Sequence, residues 1–139
     1  MERGMRVLIA DRDQAFLEVA QRYLSRHGHE VKSATNGLES VAILHGDLPD
    51  AVVLQRDLLW GGGDGVLALM QQLPGWSKIP VILTSYDGTP EESGPLTSPQ
   101  LVAQLHKPYR LEDLLGHLQK CGLGSVPDRA EIAATGSNQ

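Results

Sequence analysis

Four stations along the chain carry side chains able to do chemistry, and each stands directly after an apolar run. Asp11-Arg12-Asp13 follows Arg6–Ala10, and Gln55-Arg56-Asp57 follows Ala51–Leu54. Thr84-Ser85 closes the run from Ile79, and Lys107-Pro108 follows the run from Leu101 to His106. Aspartates supply a nucleophile or hard oxygen ligands for a divalent cation. A threonine hydroxyl and a lysine ammonium supply a donor and a fixed charge for an oxyanion. Gln55 and Arg12 fit neither role: an amide is a poor nucleophile, and an arginine adds positive charge where a cation would sit.

The intervening segments must hold these stations together. Phe16, Leu17, Ala20, Tyr23 and Leu24 recur at helical spacing behind Asp13, a ready N-cap, and Gly28 stops the helix. His29–Ala34 reads as a more polar strand, hence nearer an edge. Leu38–His45 is an apolar helix after the Asn36-Gly37 turn. Val66, Leu67, Leu69, Met70 and Leu73 mark a third helix starting near Asp64, ended by Pro74-Gly75. Leu111–Lys120 is the last helix. The stretch from Asp87 to Pro99 holds three prolines and reads as loop with at most a turn of helix. Strands alternating with helices predict a doubly wound α/β fold with a five-stranded parallel sheet. In such sheets ligands bind beyond the carboxyl ends of the strands, where the four stations fall. Residues 1–121 form the expected domain, and 122–139 a flexible C-terminal tail.

Composition narrows the function. The chain has 139 residues, 41% hydrophobic and only 4% aromatic, so its core is aliphatic. Its net charge of -5 disfavours a generic grip on nucleic acid. No apolar run approaches the roughly 20 residues that span a bilayer. The lone Cys121 excludes an internal disulfide and fits a reducing, cytoplasmic setting, and a buried packing role suits it. The five histidines show no metal-ligand spacing. The Gly61–Gly65 run lacks the Lys-Ser/Thr of a P-loop and reads as a flexible lead-in to a helix, with Trp60 half-buried beside it.

The strand ends, in this order and spacing, resemble the receiver domain of bacterial two-component response regulators, a flavodoxin-like fold, from about Arg6 to Lys120. Asp11 sits at the first acidic position, Thr84 at the hydroxyl position and Lys107-Pro108 at the lysine-proline position. Pro49-Asp50, Asp64-Gly65 and Asn36-Gly37 also stand in the family's places. The departures fall on the chemistry. Arg12 replaces the second acidic residue, with Asp13 behind it. Gln104 stands where the family has its switch aromatic, and the fourth helix is shortened or replaced by loop. The phosphoacceptor position, six residues after Pro49, is Gln55. Counted back from Asp64, Asp57 is the alternative acceptor, but that register ends a twice-covered central strand in Gln55 and Arg56.

The resemblance implies a stand-alone, non-enzymatic signalling module, a pseudo-receiver that acts by protein-protein contact. Its expected partner is a histidine kinase or another response regulator, with no nucleic acid and no membrane. The alternative is a working phosphoacceptor using Asp57 with Mg2+, whose ligands would be Asp11, Asp13 and Asp57; the main reading needs no cofactor. A small flavodoxin-like enzyme or cofactor binder is a third reading, disfavoured because the first-strand loop lacks a phosphate-binding glycine or Ser/Thr cluster. For Arg12 two roles stand open: a solvated loop arginine, or an internal cation pairing with Asp11 and Asp57. Lys107 is expected to pair with Asp11, and Asp13 to cap the first helix.

Overall fold

A computed structural model describes residues 4–86 and 98–122. Its elements are β1 (Arg6–Ala10), α1 (Gln14–Arg26), β2 (Glu30–Ala34), α2 (Gly37–Gly46), β3 (Ala51–Gln55), α3 (Gly62–Gln72), β4 (Val81–Tyr86), β5 (Leu101–Lys107) and α4 (Leu111–Lys120). The sheet is wholly parallel, in the order β2-β1-β3-β4-β5. This is the expected doubly wound α/β fold with a five-stranded parallel sheet. The expected loss of a helix between β4 and β5 falls largely on residues 87–97, and the expected tail on 123–139; both lie outside the described residues.

Burial follows position in the sheet. β3 is central, covered on both faces and buried throughout, which its unbroken Ala-Val-Val-Leu run requires. β2, with Glu30 and Lys32 exposed and Val31 and Ala34 buried on opposite faces, is an edge strand. Each face carries its own core. Val7, Ile9, Ala51, Val53 and Ile82 pack with Leu17, Ala20 and Leu24 of α1 and Leu114 and Leu118 of α4. Leu8, Ala10, Val52, Leu54 and Leu83 pack with Leu44 of α2 and Val66, Leu67 and Met70 of α3. Cys121 is buried in the first of these cores and free.

One irregularity decides where the last station points. β4 and β5 pair Val81 with Leu101, then Ile82 with Ala103, so Val102 is an extra residue on β5. Side chains alternate faces along a strand, so one inserted residue flips all that follow. Beyond the bulge, Ala103, Leu105 and Lys107 share rows with Ile82, Thr84 and Tyr86. Lys107 therefore emerges on the α1/α4 side of the sheet.

Candidate functional site at the carboxyl ends of the strands

Val7, Ile9, Val53 and Ile82 face α1 and α4, so by alternation Asp11, Gln55 and Thr84 face the same way. Ala10 pairs with Leu54 and Gln55 with Thr84, which sets the three in one row across β1, β3 and β4. All three are buried polar residues.

Each side chain is held differently. Asp11 Oδ1 accepts the Asp13 backbone N–H at 2.8 Å, and Oδ2 accepts from Lys107 Nζ at 2.5 Å. This expected ion pair is almost wholly withdrawn from water. The Lys107 ammonium also lies 4.5 Å from the Phe16 ring centre and 5.2 Å from that of Tyr86, a cation-π setting on two sides. Gln55 is fully buried, and its Oε1 accepts the Arg12 backbone N–H at 2.8 Å. That bond fixes the amide's orientation and turns Nε2 inward, where it has no partner. The Thr84 hydroxyl is likewise buried and unpartnered. Tyr109 packs edge-on to Phe16, and its buried hydroxyl has no partner either. Burial raises the Tyr109 pKa strongly, and the Asp11 charge adds to the shift.

The structure decides the reading left open for Arg12 and corrects one expectation, for Trp60. Arg12 does not pair with Asp11. Its N–H enters the pocket, but its guanidinium leaves on the solvent side and meets Asp57 at 3.0 Å, with side chains 46% and 58% exposed. The Asp11 carboxylate already holds Lys107, and a backbone tied inward at Arg12 points its side chain outward. Trp60, expected half-buried, is 67% exposed.

The remaining residues divide plainly. Asp13 caps α1, accepting the Phe16 N–H at 3.1 Å, as expected. Asp57 lies in the β3–α3 loop, two residues past Gln55. Among the described residues, no three His, Cys, Asp or Glu side chains gather as metal ligands would, so Asp11, Asp13 and Asp57 do not converge. Gln104 is exposed on β5, one residue off the row parity of Lys107. The Lys107–Pro108 peptide is cis.

Sequence reasoning missed the aromatic setting of Lys107 and the forked ion pair in which Arg56 donates Nε and Nη2 to Asp64, both at 3.0 Å. Tyr86 stands two residues after Thr84, so strand parity held a signal for it. Phe16 read only as an apolar helix position. The close approach of α3 to β3 was also hidden: a Cβ on Gly63 would lie 2.4 Å from the Gln55 carbonyl oxygen.

A family model described as "Response regulator receiver domain" matches residues 7–119. The response regulator MprA of Mycobacterium avium (strain 104) is 33% identical over 132 residues, 94% of this chain and 57% of the relative. That of Mycolicibacterium vanbaalenii is 32% identical over 125 residues, 89% of this chain and 53% of the relative. The chain thus spans little more than half the length of these curated relatives. Among solved structures, a CheY-like receiver domain protein from Methanospirillum hungatei JF-1 superposes with a TM-score of 0.76 at 23% identity, covering 86% of this chain and 94% of that one. A response regulator from Chloroflexus aurantiacus J-10-fl gives 0.75 at 22% identity, covering 87% and 99%.

Proposed function

The chain belongs to the response regulator receiver domain family, and from that premise we propose that it signals through protein contact without being phosphorylated. The observation that carries this reading is Gln55. It ends β3, fully buried, in the row of Asp11 and Thr84, with its oxygen committed to the Arg12 N–H. Phosphoryl transfer to a receiver needs a carboxylate nucleophile that opens onto the strand ends. An amide at this place is neutral and forms no acyl phosphate.

A magnesium ion is no part of this reading, and the residues present do not suit one. Both Asp11 oxygens are engaged, by Lys107 and by the Asp13 N–H, and the Gln55 oxygen is engaged by Arg12. Lys107 supplies the positive charge that Asp11 would otherwise draw from a bound cation. The protein's role is then contact with a histidine kinase or another response regulator in the cytoplasm, not catalysis. Its net charge of -5 points away from nucleic acid.

The second reading, phosphorylation of Asp57, is favoured by one observation: that carboxylate is 58% exposed and so within reach of a phosphodonor. It is also ion-paired with Arg12, outside the buried row. Incubation with acetyl phosphate and magnesium, followed by intact-mass measurement, separates the two. The expected result is no phosphoryl adduct. An adduct that disappears in Asp57→Asn would establish the second reading instead.

A further inference from the structure

β2 is an outer strand of the sheet, and its hydrogen bonds to β1 show which backbone groups face outward. Glu30 donates its N–H to the Met5 carbonyl at 2.8 Å, and the Ala34 carbonyl accepts the Asp11 N–H at 3.0 Å. The backbone groups of Glu30, Lys32 and Ala34 therefore face β1, and by alternation those of Val31 and Ser33 face away from it. Among the described residues no backbone bond reaches these outward groups. A row of this kind is a template for a further strand. The charges beside it are also incomplete. Glu30 neighbours Arg6 in the β1–β2 register, but the Arg6 guanidinium goes to both Asp47 oxygens, at 2.8 and 3.0 Å, and to the Leu48 carbonyl at 3.2 Å. Among the described residues Glu30 makes no ion pair. Lys32 reaches Asp47 at 3.7 Å, where Arg6 already holds both oxygens, and its side chain is half exposed.

A second copy of the chain supplies both missing partners. A two-fold axis at this edge sets the two β2 strands antiparallel and joins the two sheets into one. Three such registers centre within Val31–Ser33. Centred on Lys32, Val31 pairs with Ser33 of the other copy, and lysine faces lysine, which is destabilising. Centred on Ser33, Lys32 faces Ala34 and neither charge is answered. Centred on Val31, the two valines exchange a pair of backbone hydrogen bonds, and Glu30 of each copy stands opposite Lys32 of the other. Those two pairs fall at the non-hydrogen-bonded positions, where side chains come closest. The charges thus select one register out of the three. Val31 and Ser33 put their side chains on the other face and bring no charge to it. Arg6 and Asp47 stay paired with each other, one strand further in.

We infer that the β2 edge is a reversible self-association site, at which a second copy pairs antiparallel through Val31 with Glu30 and Lys32 crossed between the copies. It stands apart from the buried Gln55 row and does not depend on whether Asp57 accepts phosphate. The test is sedimentation velocity from about 10 µM to about 1 mM, a range suited to a short strand contact. The wild-type weight-average mass should climb above the 15.1 kDa monomer. Glu30→Lys sets lysine against lysine, and Lys32→Glu sets glutamate against glutamate. Each variant alone should need at least tenfold higher concentration to associate. Glu30→Lys also lowers the net negative charge of the chain, so overall repulsion does not account for its loss. Mixed one to one, the two variants should associate as the wild type does, because every lysine then meets a glutamate. The chain carrying both substitutions restores the same pairing by itself. Both positions are exposed, so circular dichroism and melting should match the wild type. A wild type that stays monomeric throughout, single variants that associate as readily as the wild type, or a mixture and a double variant no better than the single ones would each overturn the inference.

Discussion

Thr84 is the residue at which this pocket departs most testably from one that handles phosphate. Its hydroxyl is buried without a partner beside an amide donor equally unpartnered. A buried polar group left unsatisfied costs about 1–3 kcal/mol, and replacing it by an apolar group of the same shape is neutral or stabilising. Thr84→Val should therefore leave the melting temperature unchanged or raise it, by up to about 1 kcal/mol in a urea titration. A loss of more than about 1 kcal/mol would show that the hydroxyl has a partner in solution. Gln55 differs although it too has an unpartnered atom. Its oxygen holds the Arg12 N–H, so removing that side chain would orphan a backbone donor. Lys107 belongs to Asp11 in the same sense: each is buried because the other is.

At the scale of elements, the first turn of α3 approaches the end of β3 through Gly63, while Val66, Leu67 and Met70 pack further along the helix. A Cβ on Gly63 would lie 2.4 Å from the Gln55 carbonyl oxygen and 3.0 Å from its carbon, both backbone atoms that cannot yield without moving a strand. Gly65, on the same helix, and Gly116, in α4, have nothing within 4 Å of the equivalent position. The three glycines should thus respond with opposite signs. Gly63→Ala should destabilise by about 2 kcal/mol or more through strain against the strand. Gly65→Ala and Gly116→Ala should each stabilise by roughly 0.5–1 kcal/mol, because alanine gives up less backbone freedom in a helix. Urea unfolding of the three variants checks this, and a Gly63→Ala protein as stable as wild type would mean that α3 sits further from β3. Within the glycine-rich stretch read as a lead-in to the helix, Gly63 is closely packed against β3, whereas Gly61 and Gly65 have open space.

For the whole molecule, the buried pocket should be felt in the dependence of stability on alkaline pH. Burial, helped by the Asp11 charge, raises the folded Tyr109 pKa above its unfolded value near 10. A group whose folded pKa is raised binds its proton more tightly in the native state. Its contribution is therefore complete below about pH 10 and is lost as pH rises above that value, because the unfolded chain ionises first. Burial raises the Cys121 thiol pKa in the same direction, from a lower starting value. Stability should fall as pH climbs from about 8 to about 11, with Tyr109 acting at the upper end. Tyr109→Phe removes a hydroxyl without a partner, so it should leave stability near pH 7 within about 1 kcal/mol and flatten the decline above pH 10. Urea titrations of both proteins across this range make the comparison, and parallel curves would refute the assignment.

Much of this architecture was legible in the residues themselves. Continuous apolar runs such as Ala51–Leu54, amphipathic spacing such as Leu17–Ala20–Leu24, and punctuation such as Gly28 and Pro74 are local signals. They place strands and helices because period, capping and chain stiffness act over a few residues. The same logic identified Asp13 as a cap and put Asp11, Gln55, Thr84 and Lys107 at strand ends, and the family resemblance matched Lys107 to Asp11. What lay beyond it depends on how distant segments sit against one another. The extra Val102 turns Lys107 to the face of Asp11, and only the pairing of β5 with β4 shows which residue is extra. Arg12 had two carboxylates within reach along the chain. The choice fell to Asp57 because Asp11 was already held by a lysine 96 residues away. Trp60 read as partly buried because indoles usually are, but α2 seated on the loop's backbone left it outside. The type and place of each strand and helix follow from local periodicity, whereas the partner each charge takes follows from which groups the fold brings within reach and which of them are already paired.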